Sequence, residues 1–116
     1  MGKVTLVPVF EIKPGRTEDF KAASAKLIER VNGEPGTLRY EQYLSDDGRR
    51  AINLEVFRDA DAFVDHNRNV ADLVPALFDA GPVVHLDVIG EVNDAMREEL
   101  AFAAASYLAP LGSIDR

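Results

Sequence analysis

Two strand–helix–strand units in series, with one more helical stripe after them, predict an α+β sandwich of the ferredoxin-like kind for this 116-residue chain. Three observations carry that expectation. Apolar residues alternate in four stretches, recur at helical spacing between them, and fall on both sides of several predicted strands. Two helices cover only one face of a four-stranded sheet. The second oily face then calls for a second copy related by a two-fold axis, so the sequence predicts a homodimer with its sheets face to face.

Val4 to Ile12 reads as the first strand, with Val4, Leu6, Pro8, Phe10 and Ile12 on one side and Thr5, Val7, Val9 and Glu11 on the other. Pro8 removes a ladder donor, which predicts a local irregularity there. Lys13-Pro14-Gly15 ends the strand. A helix follows from about Arg16 or Thr17 to Asn32 on the stripe Phe20, Ala23, Leu27, Ile28 and Val31. Thr17 is the expected N-cap, Glu18 and Asp19 suit the first turn, and Asn32-Gly33 is the expected left-handed stop.

The stretch Glu34 to Tyr43 turns at Pro35-Gly36, where Gly accepts positive φ, and runs on as a strand to Leu44. Leu38, Tyr40, Gln42 and Leu44 face one way; Arg39, Glu41 and Tyr43 face the other. Ser45-Asp46-Asp47-Gly48 reads as a hairpin loop leading to a partner strand from Arg50 to Phe57. On that strand Ile52, Leu54 and Val56 oppose Ala51, Asn53, Glu55 and Phe57.

Asp59 is the expected N-cap of a second helix beginning near Ala60, interrupted around Asn67 to Asn69 and resuming to Phe78. Its stripe is Phe63, Asn67, Val70 and Val74, with His66 beside it, and Pro75 is expected to kink the resumed part. Val83 to Val92 reads as the fourth strand, apolar on both sides apart from His85 and Asp87. From Asp94 to Leu108 an extra helix is expected on Met96, Leu100, Ala104 and Tyr107. The expected division is therefore a sandwich over residues 1–92 and a C-terminal helical extension over 93–116, reaching to the partner or capping the sheet edge.

A formal charge of −7 with scattered basic residues argues against nucleic acid. No apolar run is long enough to span a membrane, and the N-terminus lacks the succession of a signal peptide. Absence of Cys removes disulfides and thiol chemistry and fits a cytoplasmic protein. No Gly-rich phosphate loop and no Ser-His-Asp motif is present.

The run Phe10-Glu11-Ile12-Lys13-Pro14-Gly15, then Phe20, then Glu34-Pro35-Gly36-Thr37-Leu38-Arg39-Tyr40-Glu41, then Glu55-Val56-Phe57 with Asp61-Ala62-Phe63 and His66, resembles the antibiotic biosynthesis monooxygenase family. The resemblance covers roughly Val4 to Val92. It implies a dimeric α+β barrel and a scaffold shared by cofactor-free monooxygenases, quinol oxidases, haem-degrading relatives and a sugar-phosphate isomerase. In the cofactor-free monooxygenases an Asn and a Trp lie four apart on the third strand; here Asn53 keeps the first position and Phe57 replaces the second. His66 and Glu55 match the family's helix-two His and strand-three Glu.

These positions define the candidate site. His66 is a candidate general base or oxyanion donor, against a structural His bonded to a backbone carbonyl or to Glu55. Glu55 would orient His66 or bind a substrate hydroxyl, against an ion pair with Arg39 or Arg58. Asn53 can donate and accept. Phe57 and Phe63 would wall a planar ligand, and of Tyr40 and Tyr43 only one can reach a given pocket, Tyr40 being the candidate. His85 and Asp87 lack a third ligand, so no metal is expected there, and a polar contact at the dimer interface is the better reading. The resemblance implies oxidation of a small planar aromatic compound without a cofactor. A non-catalytic ligand-binding dimer and an acid–base isomerase built on His66 and Glu55 are the alternatives.

Overall fold

The computed structural model describes residues 2–116. Strands β1 (Val4–Glu11), β2 (Thr37–Leu44), β3 (Arg50–Phe57) and β4 (Val83–Gly90) form an antiparallel sheet in the order β2-β3-β1-β4. Helices α1 (Thr17–Val31), α2 (Ala60–Asn69) and α3 (Val74–Ala80) connect the strands. This is the ferredoxin-like α+β arrangement the periodicity predicts. After β4 come a short helix, α4 (Asp94–Glu99), and a fifth strand, β5 (Ser106–Leu108), which pairs parallel with β4.

The alternation sets which side chains meet the helices. Val4, Leu6, Pro8 and Phe10 of β1, Ala51, Asn53, Glu55 and Phe57 of β3, and Leu86 and Val88 of β4 are all buried. Val7, Val9, Ile52, Leu54 and Val56 are only half-buried, on the opposite face. The helix-side core is divided into two clusters. Val4, Leu6, Phe57, Phe63, Leu86, Met96 and Leu100 form one; Phe10, Ile12, Phe20, Leu27, Val70 and Leu77 form the other.

The irregularity expected at Pro8 is present. Pro8 sits in a central strand, where the β1–β4 register shifts between Val9 and Phe10. The expected Thr17 cap is not: Arg16 occupies the N-cap without a side-chain cap bond, and Thr17 Oγ1 instead donates to the Gly48 carbonyl at 2.9 Å. That bond ties the hairpin loop to the start of α1. Nor do Asn32 and Gly33 adopt positive φ. The helix ends in a tightened turn in which Asn32 N donates to Ile28 O and Gly33 N to Arg30 O. Pro75 starts a separate helix rather than kinking one, because its missing N–H is not needed in a first turn.

Gly36 is also not at positive φ. Its reason is proximity: a Cβ there would lie 2.7 Å from Ala62 Cβ. The Gly36 carbonyl accepts from Arg58 N at 2.9 Å, so the turn is pinned to the entry of α2. Asp59 caps that helix as expected, accepting from Ala62 N at 2.9 Å.

The helix expected over Asp94 to Leu108 is six residues long. Asn93 caps it, accepting from Met96 N at 2.8 Å, and Met96 and Leu100 are buried against β1 and β4 residues. The Ala-rich run beyond it favours helix intrinsically, but tertiary contacts override a weak preference. The chain turns and lays Ser106, Tyr107 and Leu108 beside Asp87, Val88 and Ile89, using backbone groups that β4 would otherwise leave open. Arg97 covers the Tyr107 ring at 4.0 Å. No helix among the described residues is long and apolar enough to cross a membrane.

Candidate active site

Between the two core clusters lies a cavity of about 300 Å³, floored by Leu6, Pro8, Phe10, Asn53 and Glu55 of the sheet and roofed by residues of α2 and α3. Alternation along β3 puts Asn53 and Glu55 on the helix side. β2 places Tyr40 opposite Glu55 and Gln42 opposite Asn53. Helical spacing on α2 aims Phe63, His66 and Asn67 at the same space. Five of the six candidate residues, Tyr40, Asn53, Glu55, Phe63 and His66, therefore line one cavity. Phe57 does not reach it. That ring is fully buried behind His66, with centroids 4.9 Å apart, and meets Phe63 edge-on at 5.4 Å.

His66 is 5% exposed, and its partner is neither a backbone carbonyl nor Glu55. Nδ1 lies 2.8 Å from Glu34 Oε1 and 3.1 Å from Oε2. The same carboxylate accepts from Thr37 Oγ1 at 2.6 Å and Asn69 Nδ2 at 2.8 Å. With a carboxylate as its partner, Nδ1 carries the ring proton, which leaves Nε2 as the exchangeable site. Nε2 sits 4.0 Å from Glu55 Oε1.

Glu55 has no arginine partner among the described residues. Arg39 lies 3.4 Å from Glu41 and Arg58 3.7 Å from Asp59, both at the surface. Asn53 Nδ2 donates to Glu55 Oε2 at 3.0 Å. Burial pushes the Glu55 carboxyl above the ordinary carboxylate range and the Glu34 charge adds to that, while His66 and the Asn53 bond act in the opposite sense. Tyr40 is likewise raised by burial and by the Glu55 and Glu34 charges, so it stays a neutral phenol. Asn53 Oδ1 and Gln42 Nε2 are buried without partners among the described residues.

Sequence reasoning missed Glu34, which opens the Glu34-Pro35-Gly36 turn but stands 32 residues from His66 in the chain. It also missed the mouth. There Glu99 of α4 accepts from Asn67 Nδ2 at 3.0 Å and Arg68 Nε at 3.1 Å, and Phe102 packs on Phe78 at 5.9 Å between centroids. His85 and Asp87 bond each other at 3.0 Å on the open face, away from the cavity. Among the described residues no group of three or more His, Asp or Glu is placed to hold a metal ion.

A small α+β sandwich with a carboxylate–imidazole–carboxylate row over an apolar cavity is a scaffold for small molecules. The family model for antibiotic biosynthesis monooxygenase matches residues 4–71, more than half of the chain, and the protein belongs to that family. Among solved structures it is similar to MupZ from Pseudomonas fluorescens, with 30% identity and a TM-score of 0.89 over 100% of this chain and 96% of that one. A mutant of SnoaB, a cofactor-independent oxygenase from Streptomyces nogalater, matches with 19% identity and a TM-score of 0.68 over 80% of this chain and 96% of that one. SO0527 from Shewanella oneidensis is 31% identical over 75% of this chain and 86% of that one, with a TM-score of 0.63. No curated protein matches the sequence. The family match stops at residue 71, so α3, α4 and the mouth residues Glu99, Leu100 and Phe102 lie outside it, whereas the MupZ alignment runs through them.

Proposed function

We propose that the protein is a proton-transfer enzyme for a small, mainly apolar molecule, working with side chains alone. His66 Nε2 is the base, Glu34 orients it, and Glu55 is the acid. The single observation that supports this reading is the row Glu34–His66–Glu55, in which Nδ1 is engaged and Nε2 faces a buried carboxyl 4.0 Å away at the cavity wall. Burial keeps Glu55 in its neutral form to higher pH, which suits a donor opposite an imidazole acceptor. The gap exceeds a direct hydrogen bond, and a substrate group in reach of both atoms would sit beside the line that joins them, on the cavity side.

A second reading, oxidation of a phenol or quinol by oxygen without a cofactor, is favoured by family membership and by the likeness to SnoaB. It shares the first step, since His66 would ionise the phenol before oxygen takes electrons from the anion. Against it stand Phe57, which cannot supply an indole N–H, and the Asn53 amide N–H group already bonded to Glu55. A naphthohydroquinone in an oxygen electrode separates the two. Uptake that is catalysed by the protein and lost in His66→Ala would establish the second reading. A bell-shaped rate profile that is the same without oxygen supports the first.

The half-buried Val7, Val9, Ile52, Leu54 and Val56 form an uncovered apolar face, with His85 and Asp87 at its side. We propose that a second copy covers it face to face.

A further inference from the structure

Gln42 of β2 stands directly opposite Asn53 of β3, in a register where facing Cβ atoms lie about 4.5–5.5 Å apart. Gln42 Nε2 has only N–H groups to give and Asn53 Oδ1 only lone pairs to offer, and both are buried without a partner among the described residues. Each atom is unfavourable alone, and each supplies what the other lacks. Rotation about the Gln42 side-chain torsions, or one intervening water, joins them. The direction of that pairing matters because of what Asn53 does with its other end. Nδ2 donates to Glu55 Oε2 at 3.0 Å. In neutral Glu55 the oxygen that accepts this bond is not the one that carries the proton, so the proton sits on Oε1. Oε1 is the atom 4.0 Å from His66 Nε2. Were the Asn53 amide turned over, Oδ1 would accept the carboxyl proton and draw it away from the imidazole. A donor bonded to Oδ1 forbids that reversal.

We infer that Gln42 is a positioning residue for the acid: its amide donates to Asn53 Oδ1, directly or across one water, holds Asn53 Nδ2 on Glu55 Oε2, and so keeps the Glu55 proton on the oxygen that faces His66. The inference rests on the reading of Glu55 as the acid and goes beyond it, since Gln42 does not line the cavity and acts only through Asn53. Burial and the Glu34 charge favour neutral Glu55, while His66 and the Asn53 bond oppose that. Tyr40 faces Glu55 from β2 and His66 faces it from α2, with Glu34 behind the imidazole. Glu99 of α4 lines the same cavity, and the residue opposite Glu55 on β1 is Leu6. Substitution of Gln42 leaves all of these in place.

Carbon-13 titration of the glutamate side-chain carboxyls tests this without a substrate, the Glu55 signal being the one missing from Glu55→Gln. Gln42→Met keeps the length of the side chain and removes the donor. Asn53, free to turn, then accepts the Glu55 proton, and the Glu55 titration should move up by about one unit from that of the natural chain. In an Asn53→Ala background, with no amide left to hold, Gln42→Met should add nothing. An unchanged Glu55 titration in folded Gln42→Met, or the same rise in both backgrounds, overturns the inference and leaves Glu55 standing as the acid. Should Gln42→Met not fold, exchange of the Gln42 side-chain amide protons in the natural chain decides. They should exchange with D2O at least about tenfold more slowly than those of an exposed amide, and exchange as fast as an exposed amide overturns the inference. A Glu55 carboxyl that titrates at the ordinary 4.5 in the natural chain removes the acid reading and this inference together.

Discussion

His66 Nδ1 lies 2.8 Å from Glu34 Oε1, joining the second helix to the turn that precedes the second strand. Glu34 is itself held by Thr37 and Asn69, so the carboxylate is fixed before the imidazole meets it. The consequence is directional. One nitrogen of the ring is spoken for, and the other is aimed at Glu55 and the cavity.

Replacing Glu34 by Gln removes the charge from that bond while keeping its shape. If Glu34 holds His66 ready as the base, Glu34→Gln lowers turnover about 10²-fold or more, within the range general acid–base assistance supplies. The fall should be larger in kcat than in KM, since Glu34 does not line the main cavity. Initial rates across the pH range, on natural and variant protein, check it. Equal rates would reduce Glu34 to a structural bond.

Glu55 makes a prediction about stability and pH. Its folded-state carboxyl is held above the ordinary value of 4.5, so the native chain keeps a proton that the unfolded chain gives up. Stability from this group is therefore complete below that ordinary value and is lost as pH rises through the folded-state value. Glu55→Gln has no proton to lose. Its melting temperature should gain on that of the natural protein as pH is raised from about 4.5, with activity abolished. A variant that loses ground over the same interval, followed by calorimetry, would contradict the assignment.

Gly36 should tolerate no side chain. A Cβ there meets Ala62 Cβ at 2.7 Å, and Gly36→Ala should cost about 1–3 kcal/mol, as overpacking generally does. It should also loosen the Glu34–His66 bond. Adding Ala62→Gly should recover most of the loss in denaturant titrations, which a purely conformational effect at residue 36 would not allow.

What the sequence made legible was local. Alternation placed Asn53 and Glu55 on one face of β3, and the spacing of Phe63 and His66 on α2 put both at one wall. The pairing of Glu34 with His66 was not legible, because it depends on how closely the turn packs on α2, and a glycine does not announce whether it serves φ or contact. The same limit hid β5. Ala101, Ala103, Ala104 and Ala105 read as helix formers, and only the open edge of β4 explains why the chain leaves the helix at Glu99. The role expected of Phe57 failed for a related reason: facing the helices is not the same as facing the space between them.

The uncovered face carries a prediction of its own. Val9 and Leu54 sit on its apolar surface, and Leu54→Lys should convert a dimer into a monomer with the cavity intact, as read by light scattering on a sizing column. A natural protein that elutes as a monomer at all concentrations would remove the proposed partner.

The orientation of His66 can be read without any substrate. Long-range nitrogen–proton correlation spectra of the protein with ¹⁵N-labelled histidine distinguish the two ring nitrogens and report which one carries the proton. In the neutral ring Nδ1 should carry the proton and Nε2 should not, with that preference lost in Glu34→Gln. A ring protonated at Nε2 instead, or a spectrum indifferent to Glu34, would contradict the claim that Glu34 readies His66 as the base.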